Sequence, residues 1–519
     1  MKKIISILSI AGLLITSSGC TDWLDLRPES EIVLDDYWQN ESQVTQVLSA
    51  CYRSVTERDV MSRMLVWGEL RSDNVWYGSG MPSDMSKMLN VDITADNGYC
   101  HWGSFYTVIN YCNNFLHYAP GVVEKDANFT ESKLHSMEAE VLTLRALMYF
   151  YLVRTFENVP WVNEPSIDDA QDYRIPQSPE DEILNYIVSD LQTALRYSRD
   201  NFETLERTKG RVTTNAIRAL LADIYLWQEE YSKCIEMCDQ ILNDPESDLE
   251  LEMGEDVISK VFYQGNSKES IFELQFDDDQ MFNSVVYDYF GGSGRMAGQW
   301  SFPAPLVTGR YSPFNYVVGS GKESSEDLRE KDFLRQVIGG DSYYVFKYAG
   351  ADRREDPTTE ASTYFYRNVT ANWIVYRLSE IYLMKAEAMI QLESNKEQAI
   401  ELINTIYMRS NVEEDELGLI ADNYSTKLKL DELYMRERQR ELMFEGKRWF
   451  DLMRMARRVD SPAPLLSYVT KKFTGGSSGE ANKMSVMEAL YLPVHTDELK
   501  ANSALVQNEF YKVQAEENK

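Results

Sequence analysis

The segment from Leu433 to Arg458, LYMRERQRELMFEGKRWFDLMRMARR, constrains the fold of this chain more than any other, because charge, aromatic bulk and a glycine fall at helix-related spacings within one short run. Leu433, Leu442, Phe444, Trp449, Leu452 and Met453 can face a core. Beside them acids and arginines interlock at i,i+3: Glu437 with Arg440, Arg438 with Glu441, Glu445 with Arg448, Arg448 with Asp451, and Asp451 with Arg454. Gly446 stands where a left-handed cap lets one helix turn into a second. Glu437, Glu441 and Glu445 share a helical face and could be read as acid/base carboxylates. That chemistry needs one acid isolated so that its pKa rises. Here each has an arginine at interaction distance, which favours ionised ion pairs.

Helical periodicity dominates elsewhere too. Val44, Val47, Leu48, Cys51, Tyr52 and Val55 mark a helix after Asn40, and Phe105, Val108, Ile109, Cys112 and Leu116 mark another. A long apolar face runs from Ser132 to Phe156. Ser178-Pro179-Glu180-Asp181 reads as an N-cap, a first-turn proline and a capping-box acid for a helix through Leu195. Thr213 to Gln228 and Tyr231 to Leu242 form a further pair. LADIYL from Leu221, leading into Cys234-Ile235-Glu236, has an echo in LSEIYL from Leu378, leading into Ala399-Ile400-Glu401. These units resemble tetratricopeptide hairpins, which stack because neither helix alone can bury its face.

From Asn243 to Ala371 glycine, proline, serine and aromatics replace clean periodicity, apart from a predicted strand over Ile271 to Phe276. The chain therefore divides into a leader at 1–19, a helical region at 20–242, a loop-rich insertion at 243–371 and a second helical region at 372–519. Loop-rich surfaces on rigid scaffolds commonly carry binding. Tyr287, Asp288, Tyr289, Phe290, Trp300, Tyr311, Phe314, Tyr316, Tyr343 and Tyr344 crowd the insertion, and Trp67, Trp76, Tyr77, Tyr99 and Trp102 form an earlier group. Trp76 and Tyr77 lie beside Gly78 and Gly80 and are expected on an exposed loop, whereas Trp102 opens a helix and is expected in the core. A sugar ring stacks its C–H face on an aromatic plane while polar side chains take its hydroxyls. The expected exposed ligand-binding set is Trp76, Tyr77, Tyr289 and Trp300, with Asp288 and Arg295 as hydroxyl partners.

Lys2 and Lys3 precede an apolar run from Ile4 to Ile15 that is too short to span a bilayer comfortably, and Ser17-Ser18-Gly19-Cys20 follows. This is a signal peptide. The small residues before Cys20 resemble a lipoprotein box, in which Cys20 is lipidated, and Asp22 and Asp25 resemble an acidic surface-export tag. A formal charge of −31 opposes binding to nucleic acid and favours neutral ligands. Beyond Cys20 there are five cysteines, and no paired zinc spacing appears among them. Cys234 and Cys238, one turn apart, suit packing better than a disulfide. The expectation is no catalytic residue, no cofactor and no metal. Gly475-Gly-Ser477-Ser-Gly479 matches a hydrolase elbow only formally, since no apolar strand precedes it. Gly292-Ser-Gly294 with Gly298 lacks the spacing of a dinucleotide loop.

The spacing ER-x2-EL-x2-EG-x-R-x2-DL-x-R from Glu437 to Arg454 resembles the C-terminal signature of the SusD/RagB family of outer-membrane nutrient-binding lipoproteins of Bacteroidota. RALMYFYLVRTFENVP from Arg145, IFELQF from Ile271, YRLSEIYLMKAEA from Tyr376 and LYLPVHTDELKANSALVQNEFY from Leu490 resemble family landmarks in the expected order. The stretch from Trp67 to Tyr77 resembles the family segment leading to the ligand face. Tyr491 to Val494 and Gln507 to Tyr511 depart from the usual YPIP and QNPGY forms. The resemblance implies a mostly α, tetratricopeptide-like fold with short strands in its insertion. It implies a lipid-anchored protein on the outer membrane, facing the cell exterior, that binds oligosaccharide and delivers it to a SusC-like TonB-dependent transporter. Peptide or glycopeptide capture is the alternative use of that architecture. A surface glycan hydrolase, which needs two carboxylates across a cleft, and a bare helical scaffold come after it.

Overall fold

A computed structural model describes residues 37–517 except 168–170, 255, 309–311, 315–316, 319–320, 323–326, 337–342, 357, 359–361, 412–417 and 474–477. The leader and Cys20, Tyr311, Tyr316 and most of the elbow-like glycine run thus lie outside the described residues.

The described chain is mostly helical. Helix α1 (Glu41–Thr56) opens on Asn40, whose side chain accepts from the Gln43 backbone while Gln43 reaches back, a reciprocal cap that fixes the start. Helix α2 (Arg58–Leu65) runs into a π-helical turn at Val66–Leu70. Helices α3 (Gly103–Tyr118) and α4 (Glu131–Phe156) follow, and almost the whole second half of α4 is buried. Helix α5 (Glu180–Leu195) starts differently from the sequence expectation. Pro179 occupies the cap position with no side-chain bond, and Ser178 instead pairs with Val159 in a two-residue ladder. Asn158 Oδ1 takes the Glu180 N–H at 3.3 Å, so the preceding chain supplies the cap.

Helices α6 (Thr214–Trp227) and α7 (Tyr231–Leu242) form one hairpin, and α9 (Leu378–Gln391) and α10 (Lys396–Ser410) form its echo. Helix α7 packs directly on α9, so the two similar sequence units stack as neighbouring repeats. Helices α11 (Lys427–Leu442) and α12 (Arg448–Arg458) complete this side. They meet at Gly446, whose φ of 72° is the left-handed turn expected there. Cys51, Cys100, Cys112, Cys234 and Cys238 are all buried and free.

The insertion holds helix α8 (Ser284–Phe290) and three strands of an antiparallel four-stranded sheet, one edge strand of which comes from the N-terminal region. The strands of the sheet are β1 (Trp76–Tyr77), β3 (Trp300–Phe302), β4 (Leu334–Gln336) and β5 (Tyr343–Val345), in spatial order β1-β3-β5-β4. Strand β2 (Ser270–Leu274) pairs with β6 (Trp373–Arg377), which delivers the chain straight into α9.

Candidate functional site

Strand β1 is the edge of the sheet. Trp76 lies opposite Ser301 and Tyr77 opposite Trp300, and the ladder continues as Gly78 N–H donates to Gln299 O at 2.8 Å and Ser79 N–H to Gly298 O at 2.7 Å. The two aromatic groups that are far apart in sequence therefore meet. Asn283 caps α8 by accepting from the Val286 N–H, and the helix turns Asp288 outwards and Tyr289 inwards.

Two of the expected binding rings are not on the surface. Trp300 is fully buried and Tyr289 is 1 % exposed. Their rings stack at 4.8 Å with an 18° interplanar angle, and the Tyr289 hydroxyl lies 2.5 Å from Ser62 Oγ and 3.3 Å from Tyr99 Oη. Burial pushes the Tyr289 phenol well above its usual pKa, so it stays neutral. These rings are the floor beneath the sheet, because the middle strand has both flanks covered and α8 closes the face that Trp300 points to. Trp67 and Trp102 are buried as well.

What reaches solvent is smaller. Tyr77 is 36 % exposed, and Trp76 is half-buried, edge-on to Tyr77 at 5.2 Å and to Phe473 at 5.5 Å. Asp288 accepts from Arg58 Nη2 at 2.7 Å and from Arg295 Nη1 at 3.2 Å, while Arg295 Nη2 donates to Ser79 O at 3.3 Å. Asp288 and Arg295 are thus partners of each other, and together they tie the 291–298 loop to the end of β1. Arg58, also bonded to Ser284 Oγ at 2.6 Å, belongs to this cluster and was missed in the sequence. Nothing local marks it, since it sits at the start of a helix more than two hundred residues from Asp288. The face offers one aromatic plane and a half-exposed carboxylate between two guanidinium groups.

The carboxylates of the C-terminal helices serve a different purpose. Glu437, Glu441 and Glu445 are buried. Arg377 donates to Glu441 and, at 2.6 and 3.0 Å, to Glu445; Arg409 bonds Glu441 and, at 2.6 Å, Glu269; Arg329 bridges Glu437 at 2.7 Å and Glu441 at 3.0 Å. Lys347, Arg440 and Asp327 close the cluster, so five carboxylates meet five cations. Burial alone would raise Glu441, but Arg409, Arg377 and Arg329 outweigh it and hold the carboxyl well below its usual range. An acid so held is a poor proton donor or acceptor near neutral pH. Of the expected i,i+3 pairs, Glu437–Arg440 and Asp451–Arg454 form. Arg438 turns to Asp451 at 2.7 Å and Arg448 to Asp73 at 2.8 Å. An interior helix satisfies its guanidinium forks from every packed neighbour, and adjacent turns supply too few acceptors.

Among the described residues, no cluster of three His, Cys, Asp or Glu side chains has metal-holding geometry, and no helix is long and apolar enough to cross a membrane.

Residues 236–511 match the family model described as "SusD family", and residues 22–226 match that described as "Starch-binding associating with outer membrane". SusD-like protein P38 of Formosa agariphila is 25 % identical over 495 residues, covering 90 % of this chain and 94 % of the relative. SusD-like protein P2 of the same organism is 24 % identical over 468 residues, covering 85 % and 89 %. A SusD superfamily protein from Bacteroides thetaiotaomicron superposes with a TM-score of 0.69 at 21 % identity, covering 91 % of this chain and 99 % of that one. NanU of B. fragilis superposes with a TM-score of 0.66 at 19 % identity, covering 93 % and 99 %. The family model alone spans more than half of the chain, the helical-repeat architecture is shared over nearly all of it, and the chain belongs to the SusD family of glycan-binding, outer-membrane-associated proteins.

Proposed function

We propose that this protein captures oligosaccharide at the outer cell surface, where a lipid on Cys20 anchors it, and passes the sugar unaltered to a SusC-like TonB-dependent transporter. The observation that carries the reading is the Tyr77 face. An exposed ring lies on an edge strand whose end is bonded through Ser79 to Arg295, in turn paired with Asp288 and so with Arg58, and this offers the plane and polar ends that a sugar ring needs. Tyr77 stacks on the sugar with Trp76 edge-on beside it, Asp288, Arg295 and Arg58 take its hydroxyls, and the buried Tyr289–Trp300 pair keeps the platform rigid. The matched description, starch-binding and associating with the outer membrane, supports the ligand class and the location.

Calorimetry with a panel of neutral oligosaccharides tests this. One of them should bind, Tyr77→Ala should weaken that binding by about 1–3 kcal/mol at an unchanged melting temperature, and chromatography should recover the sugar intact. Absence of binding across the panel, wild-type affinity in Tyr77→Ala, or a hydrolysis product would refute it.

A further inference from the structure

A second cleft lies between α3, the segments 160–166 and 171–175, and the short helix α13 (Thr496–Ala501), and it shares no lining residue with the Tyr77 face. Its volume is about 380 Å³, enough for one or two sugar rings at the small end of ligand pockets. Trp102, Tyr106 and Tyr173 supply ring surface, and Tyr173 is 45 % exposed.

The walls hold one another in place. Tyr106 Oη donates to Pro160 O at 2.7 Å, Gln171 Nε2 to Pro165 O at 3.0 Å and Asn502 Nδ2 to Ile175 O at 2.7 Å. Gln171 Oε1 also accepts the Ile167 N–H at 2.7 Å. These polar groups are committed to the walls, so the cleft is formed before any ligand enters, which lowers the ordering cost of binding.

Two polar ends are left over. Glu498 Oε1 is buried without a hydrogen-bond donor. His101 Nδ1 lies 3.3 Å away but accepts the Gly103 N–H at 3.2 Å, so neutral His101 gives this oxygen no hydrogen bond there. Asn110 uses Oδ1 to accept from Ser166 N and Asn114 Nδ2, which leaves its own Nδ2 as a donor. A buried acceptor without a donor is costly, and a ligand O–H relieves that cost. Charge narrows the ligand further. Among the described lining residues are the carboxylates Glu164, Asp172 and Glu498 and no lysine or arginine. Arg174 pairs with Asp172, but Glu164 and Glu498 keep the lining acidic, which disfavours phosphorylated, sulfated or uronic sugars.

From this geometry we propose that the cleft is a second binding site, for the ring of a neutral pyranoside, with Tyr173 stacking on the sugar, Glu498 accepting a hydroxyl and Asn110 donating to one. It stands independently of the reading of the Tyr77 face.

Saturation-transfer NMR on the full chain tests it, with the methyl glycosides of glucose, galactose and mannose as probes and methyl glucuronide as the charged control. In Tyr77→Ala protein, transfer to at least one neutral glycoside should persist. Adding Tyr173→Ala or Glu498→Ala should weaken that binding by at least about fivefold, with melting temperature and circular dichroism unchanged. Three outcomes overturn the proposal: no transfer in Tyr77→Ala protein, transfer indifferent to both cleft substitutions, or stronger binding of the glucuronide. Tyr173 lies at the surface, so its arm reads out binding even if the Glu498 variant loses stability. Loss of the Tyr77 face with retention of the cleft, or the reverse, separates the two sites.

Discussion

Trp300 and Tyr77 face each other across one ladder pair, yet substitutions at them should act in opposite ways. Trp300→Ala empties a fully buried volume and strips the stacking partner of Tyr289, so it should cost about 3–5 kcal/mol of stability in urea titrations. Tyr77→Ala removes a ring already partly in water and should leave stability nearly unchanged while reducing binding. The aromatic crowd was legible in the sequence, and the two groups were expected to form one exposed binding set, but the sheet that joins them was not expected. Which ring is buried was not legible, because directly paired residues share a face of the sheet, and Trp300 sits on an inner strand covered by α8 whereas Tyr77 sits on the edge strand β1. Glu441 makes the same point with charge. Its buried carboxylate serves Arg377, Arg409 and Arg329, so Glu441→Ala orphans several buried guanidinium groups and should destabilise the fold by about 3–5 kcal/mol. A melting temperature within a degree or two of wild type would show the network to be dispensable.

At the scale of elements, the junction of α11 and α12 is built by a distant turn. Glu69, in the π-helical turn after α2, accepts the backbone N–H groups of Phe444 at 2.9 Å and Lys447 at 3.1 Å, and Gly68 lies flat against Gly446. A Cβ on Gly68 would fall 1.8 Å from Gly446 O, a backbone atom that cannot step aside. Gly68→Ala should therefore cost at least about 3 kcal/mol or abolish folding, as thermal melts would show. Helix α12 also sets an acid limit. Burial opposes ionisation of Asp451, but Arg438 and Arg454 win and bring its carboxyl down to about 2 from an ordinary 3.8. A lowered carboxyl stabilises above its unfolded pKa, and that contribution is lost as pH falls through the folded value. Asp451 should thus supply about 2 kcal/mol at neutral pH that disappears between about pH 4 and pH 2, with Glu441, Glu445 and Glu387 shifted in the same direction. Glu69 has the opposite sign. Burial raises it to about 7 despite its N–H donors, so its contribution falls as pH rises from about 4.5 to 7. Urea midpoints should peak between these limits, and flat midpoints from pH 5 to pH 2 would contradict the ion-pair assignment.

For the whole molecule, stacked helical hairpins form the scaffold, and the proposed binding face is assembled where β1 and Arg58 of the N-terminal region meet the insertion. Cys20→Ala should release the protein from the membrane fraction and abolish incorporation of labelled fatty acid, whereas retention with label would overturn the proposed anchor. What the sequence determined by itself is the local and repeating part. Apolar period, the turn at Gly446 and the family signature from Glu437 to Arg454 depend on residues within a few turns of one another, and the α7–α9 stack, though long-range, is foreshadowed by the repeated LADIYL and LSEIYL units. What only the tertiary structure decided is the long-range part. Arg448 reaches Asp73 instead of an acid three residues away, Arg58 joins Asp288, and α3, the segments 160–166 and 171–175, and α13 enclose a cleft around Glu498. Each of these depends on which distant segments pack together, because a buried charge takes its partner from the nearest surface in space and the spacing along the chain does not record that surface.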